Sequence, residues 1–312
     1  MRSFASVMPR TQNCGQARVV TYRVAVLLST SALALVAASV PAAAGTVFGS
    51  SSYTASGPAL PWSSVSYAPA GVAYSGGDYY VVSGGSPSAP ESEYSASGSA
   101  VAGPSASSPG IDFRSVFTNA AGNVFAWGFG PNTIYEQTSF AQFQSQATLP
   151  GFSDLQAQVV LNGAGTGYIA NNDGVVQEWN LSGTLTGTVT LQSFNTAYPQ
   201  GRAIAAFGSY WLNYYNGVLT AYDPTTGAAV DSTILTGAPA DSNAYFGESY
   251  ANGYFWLPDT TTHTYLGYQI GIPAQGTNVP EPASFALLAA GLGTLALARR
   301  RSGGGRATGH AG

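Results

Sequence analysis

A short pattern returns along this chain at intervals that leave few folds open. Five times a glycine leads into an aromatic, β-prone stretch: Gly77-Asp-Tyr-Tyr-Val-Val, Gly122-Asn-Val-Phe-Ala-Trp, Gly167-Tyr-Ile-Ala, Gly208-Ser-Tyr-Trp-Leu and Gly253-Tyr-Phe-Trp-Leu. The glycines lie 45, 45, 41 and 45 residues apart. A further aromatic follows each by 12 to 17 residues, namely Tyr94, Tyr135, Trp179, Tyr222 and Tyr268. Turn signals sit beside these stretches. Asp173-Gly174 and Asn216-Gly217 are two-residue hairpin signals, because a type I′ turn needs φ > 0 at both central positions. In Asp223-Pro-Thr-Thr-Gly227 the proline fixes φ and Gly227 takes a conformation other residues resist. No stretch of the body shows a sustained 3.6-residue apolar period.

A recurrence of ~40–45 residues with several short strands per unit is the pattern of propeller blades. A single blade cannot bury both faces of its sheet, whereas blades stacked radially bury each other's aromatic faces and leave few edges. The clearest unit is 208–236: strand, Asn-Gly turn, strand, Pro-Thr-Thr-Gly turn, strand. Its run LTAYDPTTGAAV resembles a repeat of the PQQ-like or WD-related propellers. The expected fold is all-β, a β-propeller of about five blades, with a β-sandwich or jelly roll as the alternative. Residues 45–70 read as an irregular, Ser/Pro-rich leading segment, and 71–278 as the β-rich extracellular domain. Residues 87–109, rich in Ser, Ala, Pro and Gly, read as a long loop or linker that interrupts the first blade.

The two ends carry addresses. Arg18 and Arg23 precede an apolar run over 24–40, and Pro41-Ala42-Ala43-Ala44 follows. Positive region, apolar helix and small-residue end make a secretory signal over 1–44, cut by signal peptidase after Ala44 to leave Gly45 first, with Ala42 and Ala44 as the A-x-A pair. Cys14 leaves with the signal. At the other end stand Val279-Pro280-Glu281-Pro282, an uncharged apolar run over 283–298, and Arg299-Arg300-Arg301. As a helix the 16 residues of that run rise about 24 Å. This is a little short of the ~30 Å hydrocarbon core, and arginines snorkelling at one end extend it. The arginines place the C-terminus in the cytoplasm and everything before Pro280 outside. Pro280 and Pro282 mark an extended segment just above the membrane. The order Pro-Glu-Pro, short apolar helix, arginine cluster resembles the PEP-CTERM sorting domain, over residues 279–301; 302–312 is a flexible tail. The resemblance implies an exosortase as partner, a membrane-embedded cysteine transpeptidase of Gram-negative bacteria that also make exopolysaccharide. Its cut near Pro280–Pro282 would release the body or join it to another surface component.

Composition narrows the chemistry of what is exported. Between 45 and 278 there is no cysteine, so neither disulfides nor thiolate chemistry are available. The whole chain lacks lysine, and the body has only Arg114 and Arg202 against 13 acidic residues, a net charge of −11. Such a surface repels nucleic acid. The one histidine of the body is His263, in Asp259-Thr-Thr-Thr-His-Thr264, which reads as an exposed polar turn and not as a catalytic base. No G-x-S-x-G elbow occurs, one histidine without cysteine does not make a zinc site, and a P-loop lacks its lysine. Gly163-Ala-Gly-Thr-Gly167 reads as a hairpin turn, and Asn171-Asn-Asp-Gly174 as another in preference to a calcium loop. No cofactor is expected.

Paired carboxylates stay open, since glycoside hydrolysis needs only two acids across one cleft. Glu91 and Glu93 fall in the low-complexity stretch; Asp173 and Glu178, five apart on one hairpin, would face opposite sides of a strand. Acids meeting from separate blades remain possible on sequence grounds. The expectation is an exported protein, membrane-anchored through 283–298 before processing and then surface-bound or extracellular, with a non-enzymatic structural or adhesive role in an exopolysaccharide matrix. The alternatives are a secreted glycan-active hydrolase or lyase, and an uncleaved, membrane-anchored interaction platform.

Overall fold

Two-residue turns at which both φ angles are positive fold the aromatic stretches back on themselves. Asp173 and Gly174 have φ of 51° and 87°, Asn216 and Gly217 of 47° and 85°. The computed structural model describes residues 47–62, 66–194, 202–239 and 247–271. Contacts divide the chain into 1–42 and 43–312, and every described residue lies in the second unit. Ala42, Ala44 and Gly45 at the signal end lie outside the described residues. So do Val279, Pro280, Glu281, Pro282, the run 283–298, Arg299, Arg300 and Arg301. Among the described residues no helix is long and apolar enough to cross a membrane.

The strands form five sheets, each an antiparallel meander. The first blade is β3 (Ala68–Ser75), β4 (Asp78–Gly84), β5 (Pro90–Ser95) and β6 (Ala100–Ala106). The second is β7 (Phe113–Thr118), β8 (Val124–Gly128), β9 (Thr133–Ser139) and β10 (Gln142–Thr148). The third is β11 (Val159–Leu161), β12 (Gly167–Asn172), β13 (Val175–Asn180) and β14 (Leu185–Thr190). The fourth is β15 (Ala205–Phe207), β16 (Tyr210–Tyr215), β17 (Val218–Tyr222) and β18 (Ala229–Thr236). The fifth has β19 (Ser249–Ala251), β20 (Tyr254–Asp259) and β21 (Thr264–Gln269). The first strands neighbour one another in a closed ring, β3 to β7 to β11 to β15 to β19 and back to β3. The fold is a five-bladed β-propeller.

The leading segment completes the ring. β2 (Leu60–Pro61) pairs antiparallel with β21 as the fourth strand of the fifth blade, and β1 (Ser52–Thr54) adds parallel to β18 on the fourth. The described part of the expected irregular segment 45–70, residues 47–62 and 66–70, is therefore not without strands: it supplies two outer strands and the start of β3. The ladders come from edges more than 170 positions away, so no local pattern announces them. Residues 87–109 are likewise not a loop. They form β5 and β6, in which cross-strand pairing overrides the weak strand preference of Ser, Ala and Pro. The recurring glycines mark the hairpin from the first to the second strand of each blade, and the following aromatics sit in the third strands. In the third blade the turn glycine is Gly165, with φ of 68°, while Gly167 is already the first residue of β12.

The core lies between blades. Phe113, Ala126 and Phe143 of the second pack with Ala70 and Val82 of the first. Phe125 and Trp127 of the second pack with Tyr168 and Trp179 of the third and Trp211 of the fourth. Phe207 and Tyr214 meet Phe255 and Tyr268, and Trp256 and Tyr265 meet Val72 and Tyr79 to close the circle. Trp127, Trp179, Trp211 and Trp256, one per blade from the second to the fifth, are among the largest fully buried side chains. Truncating one of them to alanine carries the ~3–5 kcal/mol cost of a large core deletion.

Candidate functional site

Where the five first strands converge, they enclose a cavity of about 220 Å³. Its wall takes Val72, Phe117, Leu161, Ala206 and Tyr250, one from each first strand, with Asn162 at its rim. Apolar side chains alternate in its lining with polar backbone, hydroxyl and amide groups, and no carboxylate or guanidinium reaches it. Polar contacts tie the strands around it. The Val72 amide donates to Ser249 Oγ at 2.9 Å, the Gly71 amide to the Tyr265 hydroxyl at 2.7 Å, and the Ser115 hydroxyl to the Val159 carbonyl.

The ionisable groups are distributed around this ring. Glu248 is buried just before β19, and its Oε2 accepts the Tyr214 amide at 3.1 Å. Its backbone carbonyl accepts the buried Gln158 side chain, which reaches from the third blade to the fifth. Burial pushes the Glu248 carboxyl up to about 8. Glu91 is equally buried in β5. It accepts Gln137 Nε2 at 3.0 and 2.9 Å and the Ala141 amide at 2.8 Å, and burial outweighs these donors to push its carboxyl up to about 7. Glu91 thus clasps the second blade from the first; it does not sit in a solvent loop. Glu93, two residues on, is half-buried and bonded to Tyr80, whose hydroxyl is pushed up to about 12, first by burial and then by Glu93. Both arginines of the body are engaged, Arg114 with Asp112, Gln156 and the Phe129 ring, Arg202 with Asp154.

A second concavity, of about 350 Å³, lies between the third and fourth blades. Asn162, Gly163 and Glu178 come from the third blade; Ser209, Tyr210, Trp211, Asp223 and Thr225 come from the fourth. Asp173 is exposed in the hairpin turn and does not pair with Glu178, whose spacing from it already argued against a shared face. Glu178 instead shares the groove with Asp223. Their environments differ. Burial raises the Glu178 carboxyl above the usual range. Asp223 is held below it, first by the Thr226 amide at 2.8 Å and further by the Thr226 hydroxyl and the Thr225 amide, both at 2.9 Å. The strand positions carry no trace of this meeting: Glu178 matches Ala221 and Trp179 matches Tyr222 in the ladders, and Asp223 lies one residue past the end of β17. Only the ring geometry brings them to one groove.

His263 is not an exposed loop residue. It is half-buried in the turn from β20 to β21 with φ of 55°, its ring 5.6 Å from that of Trp62. The leading segment brings Trp62 there, which sequence spacing could not show. Among the described residues no three His, Cys, Asp or Glu side chains are grouped to hold a metal ion.

Residues 278–302 match the PEP-CTERM protein-sorting motif, which covers the Pro-Glu-Pro, the apolar run and the arginine cluster together. No curated protein matches the chain. Among solved structures the chain is similar to the glutaminyl cyclase of Myxococcus xanthus, at 11% identity over 70% of this chain and 96% of that one, with a TM-score of 0.48. It is also similar to a streptogramin B lyase, at 13% identity over 68% and 86%, with a TM-score of 0.40. A third is the virginiamycin B lyase of Staphylococcus aureus, at 15% identity over 64% and 66%, with a TM-score of 0.37. The chain therefore carries a five-bladed propeller followed by a PEP-CTERM sorting motif, which implies export, a membrane-anchored intermediate and an exosortase as processing partner.

Proposed function

We propose that this protein is a non-enzymatic component of the cell surface or extracellular matrix, set free from its membrane anchor by cleavage near Pro280–Pro282. There its propeller acts by adhesion or structure within an exopolysaccharide. The sorting motif at 278–302 carries the reading. The body fits it as a closed, rigid scaffold with a net charge of −11 and both arginines already engaged. Its polysaccharide partner is accordingly neutral or cationic and not a polyuronate, which the acidic surface would repel.

Fractionation of cultures tests it. The wild-type chain should accumulate in the matrix and medium, and a chain with Pro280, Glu281 and Pro282 all changed to alanine should stay with the membranes. The same distribution for both would overturn the proposal.

A glycan-hydrolysing reading draws on Glu178 and Asp223, whose opposed environments are the split that acid and carboxylate roles require. Release of reducing ends from matrix polysaccharide by the wild type, and not by Glu178→Gln, would put that reading first.

A further inference from the structure

The third strands of the first three blades carry a glutamate at one structural position. Glu93 stands opposite Tyr80, Glu136 opposite Phe125 and Glu178 opposite Ile169; the last two blades have Ala221 and Gly267 there. Two of the three glutamates are tied down inside their own blades. Glu93 bonds to Tyr80, and Glu136 accepts Asn123 Nδ2 at 2.9 Å and Gln144 Nε2 at 3.4 Å. Glu178 differs. Its backbone carbonyl accepts the Thr186 hydroxyl, but its carboxylate has no hydrogen-bond or ion-pair partner among the described residues, although it is half-buried.

The groove before it is shaped to admit something. At its inner end the hairpins of the third and fourth blades touch so closely that a Cβ on Gly163 would overlap the Gly208 carbonyl. At its outer side Gly187 stands directly opposite Glu178 in the ladder, and a Cβ there would meet nothing within 4 Å. Cross-strand partners share a face, so the missing side chain leaves Glu178 open from the outside. The fourth blade faces it with the half-buried Tyr210 and with Asp223, whose Oδ1 is taken up by its own turn. The loop bearing Asp223 is fixed to the third blade by the Gln192 amide, which donates to the Gly227 carbonyl at 2.7 Å. The groove is therefore preorganised. It holds two carboxylates, hydroxyl and amide groups and an aromatic ring, and no cationic side chain.

We propose that this groove binds an amino sugar bearing a free ammonium group. The ammonium pairs with Glu178 and relieves its desolvation, the Asp223 charge adds to the attraction, and the apolar face of the sugar lies on Tyr210. The choice of a saccharide rests on the matrix reading above.

The test is calorimetric titration of the processed protein with fully deacetylated chitosan oligosaccharides, and with N-acetylated chitooligosaccharides of equal length. The deacetylated oligomer should bind at least about tenfold more tightly, since acetylation removes the charged donor. Glu178→Gln should weaken its binding by about tenfold or more. Gly187→Val should block it while leaving the melting temperature near that of the wild type, which separates a filled groove from a damaged fold. Equal affinity for the two oligomers, no binding of either, or wild-type affinity in both variants would overturn the proposal. Binding in solution does not pass through sorting. Failure with correctly processed protein therefore removes the groove alone, and failure of processing removes the matrix reading alone.

Discussion

Glu248 and Glu91 are carboxylic acids built into places that water does not reach, and they give the fold a pH dependence of definite sign. Their folded values are pushed up by burial to about 8 and about 7, against 4.5 for the ordinary group. Between those values the folded state keeps protons that the unfolded chain has released. The stabilisation is therefore fully present below about pH 4.5 and is lost as pH rises through 7 to 8. Asp223, held low, works in the opposite sense, and its contribution fades only as pH falls below about 4. The urea midpoint should fall between pH 5 and pH 8.5, and Glu248→Gln should flatten the upper part of that fall. A midpoint that rises over this interval would contradict the placement of both acids. At this scale sequence reading went furthest wrong. Glu91 lies amid Ser, Ala and Pro, and His263 amid threonines, so composition assigns both to solvent; their burial comes from Gln137 and Ala141 of another blade and from Trp62 of the leading segment.

The blades are latched to one another by their turns. The turn between the third and fourth strands of one blade presses on the end of the outer strand of the blade before it. Gly183 meets the Thr148 carbonyl, Gly227 meets the Thr190 carbonyl, and Ser108 donates its amide to the Ala141 carbonyl while its own carbonyl accepts the Phe143 amide. Gly227 is constrained twice: its φ is 69°, and an added Cβ would collide with the Thr190 carbonyl. Gly227→Ala should cost about 1–3 kcal/mol in urea unfolding, whereas Gly187→Ala, in open space, should cost almost nothing. Equal effects would show that the latch is not as described. Hairpins such as Asn216-Gly217 and the Pro-Thr-Thr-Gly turn were legible because their φ requirements are written in local residue choice. The first strands β11, β15 and β19 and the outer strands β6 and β14 were not. Strands of three residues carry no period, and outer strands exposed on most of their length need no apolar alternation.

As a whole the molecule is a ring closed by its own leading segment and followed by a sorting motif. Val47, Phe48, Leu60 and Trp62 are buried against the fourth and fifth blades, and the Phe48 amide donates to Asp231 Oδ2 at 3.0 Å. A signal cut after Ala44 would leave the closing strands on the mature chain, which joins export to folding in one design. The blade number was legible from the 45-residue recurrence, and the address from three features in order at the C-terminus. The groove was not, because Glu178 and Asp223 stand 45 residues apart and meet only when the ring closes. The most direct test of the account is the intact mass of the protein recovered from the cell surface and the medium. A chain running from Gly45 to a C-terminus near Pro280–Pro282 is the expected result. A mass that retains residues 283–312 in a strain with an active exosortase would reduce the tail to a plain anchor and contradict the account.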